Sequence, residues 1–462
     1  MCNRPNDVQA TELAVQRVEE SVDKRRKRNK PAPQLEFNGD SVVLPPAVVA
    51  WLLHIGVDVE RYQRALYQVA KGLKKRYYRM LSSSDQSSEV AVVSKPTSSE
   101  LHVREDVPFA PDQTHEETDA DGSLALNSSE GLAHDSTISL GEDSGCNTNH
   151  TKQPSPQRHS HVRWLRDVEL YECYSKIPEG AIGLDAASAA IIDALRLSEL
   201  AQKDECKWIL DVCCAPGGKL LGTVSTVKRL WGDKINCKII GLDIVKRRLD
   251  VCASLLKREN APRNIDVHLL NCSGQSFTEF EGESMIERFD RVIVDAECTH
   301  EGSLRSVVRT LKYWGIQSLE SRFTEEHAKS VVSNQRELLR HAIRLIRPGG
   351  MVVYSTCSLH DEQNEILVAS VIEEFDNVQL RQLPLVQCDC CSTVCDRPDA
   401  WPATSTEHII RKHCSPRYLP NREVSSEASG CSNITSPVCV RFSPLSPDTD
   451  GIFVVSIVKL PI

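Results

Sequence analysis

Two cysteines and an aspartate stand where covalent chemistry is possible. Asp295 closes the apolar run Arg291 to Val294, Cys298 follows three residues later, and Cys357 lies three residues past Tyr354 at the end of another run. A thiolate is a strong nucleophile, and two thiols beside a carboxylate suit attack on an electron-poor ring. Upstream, residues 208 to 219 read Trp-Ile-Leu-Asp-Val-Cys-Cys-Ala-Pro-Gly-Gly-Lys. An apolar run ending in a glycine pair is the pattern of a buried strand turning into a helix near Gly217, with backbone N–H groups facing a ligand at the strand's carboxyl end. Asp243 closes the next apolar run, where one carboxylate can accept from both hydroxyls of a ribose. The same residue also reads as a helix N-cap before Val245. Cys213, Cys214, Cys237, Cys252 and Cys272 sit among apolar residues and read as packing.

The elements that must position these groups alternate regularly. Strands are expected at Trp208 to Asp211, Lys238 to Leu242, Ile265 to Leu270, Arg291 to Val294 and Met351 to Tyr354, and helices at Lys246 to Asn260, Ser330 to Ile346 and Asn364 to Glu374. Leu338, Leu339, Ala342, Ile343 and Ile346 share one face of the long helix, and Pro348-Gly349-Gly350 is expected to stop it. A final strand runs from Ile452 to Leu460. The fold class is α/β: a doubly wound, mostly parallel Rossmann-like sheet with helices on both faces. At its strand tips converge Gly217, Gly218, Lys219, Asp243, Asp295, Cys298 and Cys357.

The chain of 462 residues is too long for one ordinary core. No apolar run reaches a membrane span, and Met1 to Glu20 lacks the apolar stretch of a secretory signal. The 18 cysteines are therefore expected as reduced thiols in a soluble nuclear or cytoplasmic chain, read as a monomer. A formal net charge of −9 argues against a nucleic-acid partner only if charge is evenly spread, and it is not. Residues 1–40 form a basic polar tail whose run Lys24 to Lys30 is a nuclear address, a nucleic-acid-touching arm or a solvated charge run. Residues 41–81 carry two helical patterns and then Lys71, Lys74, Lys75, Arg76 and Arg79 interleaved with Tyr77 and Tyr78. That mixture suits phosphate contact and base stacking, or a packed helical end with a solvated face. Residues 82–160 are rich in Ser, Thr and acids and are expected to be disordered. Order resumes over 161–207, where Val162 to Leu165 and Val168 to Tyr171 alternate like strands. Within 208–462, residues 386–448 read as an irregular Cys-rich insertion. Its Cys388, Cys390, Cys391, Cys395, His408, His413 and Cys414 lack paired ligand spacing, so no metal is expected.

Asp211-Val-Cys-Cys-Ala-Pro-Gly-Gly-Lys219, Asp295-Ala-Glu-Cys298 and Tyr354-Ser-Thr-Cys-Ser-Leu359 resemble the motifs of the Sun-type (Sun/Nop/Fmu) RNA (cytosine-5) methyltransferases. Leu184 to Ser188, Gln335 to Leu339, Asn364-Glu365 and Asp448 to Phe453 extend the resemblance over roughly residues 161 to 375 and the last strand. It implies S-adenosylmethionine as cofactor, an RNA substrate (tRNA or rRNA), and a smaller RNA-binding N-terminal subdomain that begins in 41–81 and resumes after the insertion. It implies Cys357 as nucleophile on carbon 6 of cytosine, Asp295 as the acid near ring nitrogen 3, and Cys298 as the residue that helps remove the carbon 5 proton and release product. Lys219 stabilises the polar site. Cys214, Ala215, Pro216, Gly217, Gly218, Lys219, Asp243, Arg248, Asn271 and Asp295 form the implied cofactor site. The chain departs from the family at Glu297, where Pro is usual, and at Asn271-Cys272, where an Asp is expected. A rival reading is a catalytically silent RNA-binding scaffold, which Glu297 favours and the two retained cysteines oppose.

Overall fold

The computed structural model describes residues 35–73, 76–80, 160–162, 165–173, 181–200, 205–232, 234–259, 264–384, 387–388, 403–420, 434–435, 437–445 and 449–461. The basic run Lys24 to Lys30, residues 82–159 of the expected disordered segment, Lys74, Lys75, and Cys390, Cys391 and Cys395 lie outside them.

A nine-stranded sheet organises the chain. Its strands are β1 (Lys207–Asp211), β2 (Cys237–Leu242), β3 (Ile265–Leu270), β4 (Phe289–Asp295), β5 (Ile346–Thr356), β6 (Val378–Arg381), β7 (Ala403–Ser405), β8 (Cys439–Phe442) and β9 (Phe453–Lys459). The spatial order is β7-β8-β9-β5-β4-β1-β2-β3, with β6 also on β9. β1 to β5 are mutually parallel, and β9 lies antiparallel to β5. The central strands are buried on both faces, which is why they read as continuous apolar runs rather than as alternation. Ile209, Ile239, Ile293 and Val353 enter the core on one face, while Leu210, Ile240, Val292 and Val352 enter the other. Shortening Leu210 to Ala would cost about 2–5 kcal/mol, the usual range for a buried Leu or Ile. The expected doubly wound α/β fold is the one observed.

Helix Gly218–Trp231 begins where expected, and glycine is required there. Gly217 has φ +112°, and a Cβ on it would lie 2.7 Å from the Cys252 sulfur. Helix Glu325–Leu345 starts earlier than expected because Thr324 caps it, its hydroxyl accepting from the His327 N–H at 3.2 Å. It ends before Pro348, and β5 starts at Ile346 rather than Met351. The insertion is more ordered than its composition suggested: β7, helix Glu407–His413 and β8 add two antiparallel strands to the sheet.

The N-terminal residues form a separate layer with two corrections to the sequence reading. Arg76–Met80 is a strand, between Tyr171–Cys173 and Ala181–Gly183 in a four-stranded antiparallel sheet. Tyr77, Tyr78 and Arg79 are buried there, Arg79 against Glu259 at 2.7 Å, so they form core rather than a stacking surface. The strands near 161–171 fall at Ser160–His161 and Tyr171–Cys173, and between them Val162, Leu165, Val168 and Leu170 are buried. Helices Pro46–His54 and Val59–Ala70 pack Val48, Trp51, Leu52, Tyr62 and Leu66 against Leu304, Val307, Leu311 and Leu319. They therefore brace the loop that follows β4. Among the described residues no helix is long and apolar enough to cross a membrane.

Candidate active site

The thiols meet at the tips of β4 and β5. The Cys298 and Cys357 sulfurs lie 3.1 Å apart, and Nδ1 of His300 lies 2.9 Å from Cys357 and 3.5 Å from Cys298. The three groups share one negative charge. Burial pushes the Cys298 thiol up, but the hydrogen bond from Cys357 and the charge of His300 outweigh it and bring its pKa down to about 5. Cys357 is pushed up by that hydrogen bond, by burial and by repulsion from the first thiolate. Burial pulls His300 down, and the Cys298 sulfur more than reverses this. These opposed shifts favour one thiolate beside a protonated imidazole, with the remaining proton shared between the two sulfurs.

His300 is absent from the residues that the motifs picked out. The signal that marks it is Cys298-Thr-His300 read together with Cys357, a pairing visible only once the two strand tips are adjacent. Its φ is +65°. For a residue with a Cβ that region costs roughly 1–2 kcal/mol, and such strain collects at functional sites.

The loop is fixed from several sides. Gln335 Nε2 donates to the Glu297 carbonyl at 2.7 Å, and Gln363 Nε2 donates to the Thr299 hydroxyl at 2.8 Å. The Asn364 amide donates to the Ser358 carbonyl at 2.9 Å, steadying the turn after Cys357. Glu297 itself is exposed, so the residue in place of proline leaves Cys298 within reach of Cys357. Gly302 accepts no side chain: a Cβ would sit 2.3 Å from the Gly451 oxygen and 2.7 Å from the Cys357 oxygen. Its N–H donates to Cys357 and its carbonyl accepts from Gly451, at 2.8 and 2.9 Å. The family-like segment around Gly451 thus closes the back of the site.

Lys219 and Asp295 form the polar wall, Nζ to Oδ2 at 2.5 Å, with the Ser355 hydroxyl donating to Oδ1 at 2.8 Å. Burial lowers the Lys219 pKa, and Asp295 raises it above its ordinary value. Behind them lies Asp211, 1% exposed, whose two carboxylate oxygens have no partner in hydrogen-bonding geometry. Burial raises its pKa from 3.8 to about 7, with Lys219 opposing and Asp295 and Asp243 adding to the rise.

On the cofactor side, Asp243 accepts from the Val245 N–H at 2.8 Å and the Ala215 N–H at 3.3 Å. Its cap role and a ribose role are compatible, since each oxygen accepts one bond and has a lone pair left. Burial raises its pKa and Arg248 opposes that rise. Arg248 donates to the Ala215 carbonyl at 2.6 Å and lies 3.8 Å from Asp243. Asn271 turns its amide nitrogen to the Asp243 and Ile244 carbonyls, both at 2.9 Å, so it holds the Asp243 turn. Cys214 is buried, and Pro216 follows a cis peptide bond. A buried, unpartnered acid and a second acid at adjacent strand tips fit a ligand that carries both cationic groups and ribose hydroxyls, as S-adenosylmethionine does.

The protein family described as 16S rRNA methyltransferase RsmB/F matches residues 198–456. Ribosomal RNA small subunit methyltransferase F of Aeromonas salmonicida (strain A449) is 26% identical over 191 residues, 41% of this chain and 35% of that protein. The multisite-specific tRNA:(cytosine-C(5))-methyltransferase of Saccharomyces cerevisiae (strain ATCC 204508 / S288c) is 26% identical over 187 residues, 39% of this chain and 25% of that one. The matched stretch spans about a third or less of the length of these relatives. Among solved structures, a methyltransferase homolog protein from Pyrococcus horikoshii has 19% identity and a TM-score of 0.47, covering 90% of this chain and 100% of that one. The structure of NSun6 from Pyrococcus horikoshii with SFG has 21% identity and a TM-score of 0.38, covering 61% and 54%. The matched family region contains every strand tip described above, and of the motifs that resembled the Sun-type enzymes all but Leu184 to Ser188 fall within it. The chain belongs to the RsmB/F (Sun) methyltransferase family.

Proposed function

We propose that the protein methylates carbon 5 of cytosine in RNA, of the tRNA or rRNA class, through a covalent bond between Cys357 and carbon 6 of the base. The observation that carries this reading is the 3.1 Å pair of Cys298 and Cys357 beside His300 and the Lys219–Asp295 pair. Carbon 5 of cytosine is a poor nucleophile. Addition of the Cys357 sulfur to carbon 6 converts the ring to an enamine, with electron density delivered to carbon 5. The Lys219–Asp295 pair holds a proton that passes to ring nitrogen 3 as the sulfur adds and returns when the ring is restored. S-adenosylmethionine, when bound, supplies the electrophilic methyl group. Asp243 and the Gly217–Lys219 turn are the residues suited to hold it, with Arg248 and Asn271 keeping that turn in shape. Cys298 takes the carbon 5 proton, after which the Cys357 bond breaks and product leaves.

The RNA reading has further support beside the site. Helix Leu304–Tyr313 starts directly after the catalytic loop and carries Arg305, Arg309 and Lys312 at helical spacing. Tyr313 and Trp314 at its end are 58% and 42% exposed. Cations for phosphates beside exposed rings for bases suit a single-stranded RNA segment. This surface takes the place of the buried Tyr77–Arg79 strand. The reading is tested by incubating the full chain with methyl-labelled S-adenosylmethionine and total RNA. Label in 5-methylcytosine is expected, and its absence with a folded protein would favour a silent scaffold.

A further inference from the structure

We infer that His300 is the catalytic proton shuttle of the two thiols: through Nδ1 it stabilises the Cys357 thiolate during attack and then strips the proton from Cys298 so that this cysteine can act as the base at carbon 5. The inference rests on the proposed cytosine methylation. Its geometric basis is that a single ring nitrogen faces both sulfurs, at 2.9 and 3.5 Å, from a backbone position that a side chain rarely adopts. The surrounding charges are Glu297 and Glu301 on the same loop, Arg322, His327 on helix Glu325–Leu345, and Lys219 and Asp295 across Cys357. The His300 ring lies deep in the site, and the residue keeps only part of its surface in contact with solvent, the route by which its proton would leave.

The proton count gives such a group a role. At rest the cluster holds two protons, one on His300 and one between the sulfurs. For attack, the Cys357 proton moves to Cys298 and the Cys357 lone pair becomes the bond to carbon 6. Both Cys298 and His300 are then protonated, so neither can receive the carbon 5 proton. The imidazolium therefore gives its proton to water, and the neutral ring takes the Cys298 proton at Nδ1. The resulting Cys298 thiolate removes the carbon 5 hydrogen as a proton. That C–H electron pair re-forms the ring double bond, and the pair of the S–C6 bond returns to Cys357. The Cys298 proton then moves back to Cys357. One proton is released per turnover, as transfer of a methyl group from a sulfonium to a C–H carbon demands.

The test uses the full chain with His300→Gly, which suits the left-handed backbone, and His300→Gln, which keeps a hydrogen-bonding group that does not titrate. Iodoacetamide alkylation of Cys357 is followed against pH by mass spectrometry, and RNA-linked protein is followed on denaturing gels. In both variants the alkylation profile should move up by at least one pH unit, and adduct formation at neutral pH should fall by more than tenfold. Added imidazole should restore the Gly variant and leave the Gln variant unchanged. An unmoved profile in both variants would overturn the role of His300. Absence of methyl transfer by the wild type, with a profile that does move, would instead overturn the RNA reading and leave His300 paired to the thiols.

Discussion

The Trp51 indole N–H donates to Oε1 of Glu301 at 2.9 Å, joining residues 250 apart in the chain. The other oxygen of Glu301 accepts from the Thr299 hydroxyl at 2.7 Å, and its carbonyl accepts from the Tyr62 hydroxyl at 2.6 Å. Glu301 is fully buried, so the N-terminal helices hold the residue next to His300 by hydrogen bonds that water does not replace. Trp51→Phe keeps the apolar packing and removes the donor. It should destabilise the chain by about 1–3 kcal/mol, the cost of leaving a buried acceptor unpaired, and should also slow adduct formation. Urea unfolding read beside the gel assay checks both, and a variant as stable as wild type would mean that the clamp is dispensable.

Asp243 should matter to the cofactor more than to the fold. Asp243→Ala removes a charge-assisted acceptor, and affinity for S-adenosylmethionine should weaken by roughly 1.5–3 kcal/mol. Asp243→Asn retains an acceptor for the Val245 N–H and should unfold at nearly the wild-type temperature while binding less tightly. Calorimetry showing full affinity in both variants would place the ribose elsewhere.

Asp211 gives a pH signature. Its folded pKa, about 7, lies above its ordinary 3.8 because it is buried. The folded state therefore binds this proton more tightly than the unfolded state, and stability is lost as pH rises from about 4 through about 7. Asp211→Asn should melt higher than wild type at pH 8, with the difference shrinking toward pH 5. A cationic ligand favours the ionised carboxylate, so wild-type affinity for S-adenosylmethionine should drop below pH 7 and that of Asp211→Asn should not. Parallel melting curves at the two pH values would remove Asp211 from the account.

The helix after the catalytic loop should set the salt dependence of RNA binding. If Lys312 meets a phosphate, Lys312→Ala should weaken binding to all RNAs alike and flatten the slope of log affinity against log salt by about 0.7, as one lost phosphate contact on a single strand does. Trp314→Ala should weaken binding with little change in slope, since stacking is not screened. Filter binding at several salt concentrations separates the two.

What was legible in the sequence follows from where the information lies. β1 to β5 announce themselves because strands buried on both faces are apolar throughout, and Gly217 because no other residue fits its backbone. β7 and β8 were hidden, since short strands in a Ser- and Cys-rich stretch gain their order from pairing, β8 on β9 and β7 on β8. Tyr77, Tyr78 and Arg79 looked like a nucleic-acid surface because composition cannot show that Tyr171 and Glu259 cover them. His300 escaped for the same reason: its chemistry exists only when Cys357 is brought beside it from another strand.

The two cysteines should fail differently. Cys357→Ala removes the sulfur that bonds carbon 6, so both the adduct and methylation should disappear. Cys298→Ala leaves a nucleophile with His300 still at 2.9 Å, so attack and methyl transfer should proceed. Removal of the carbon 5 proton should then stall, and protein linked to RNA should accumulate. The 3.1 Å contact adds a condition: in Cys298→Ala the Cys357 proton loses one of its two neighbouring acceptors and keeps only His300, so the adduct should form more slowly than in wild type even as it lasts longer. Cys298→Ser should behave like Cys298→Ala, because a serine hydroxyl is too weak an acid to serve as that base near neutral pH. The double variant should show no adduct, since release cannot matter when attack never occurs. Denaturing gels with labelled RNA, followed over time and with ribonuclease as control, resolve these cases. A linked band with Cys357→Ala and none with Cys298→Ala would exchange the roles of the two residues.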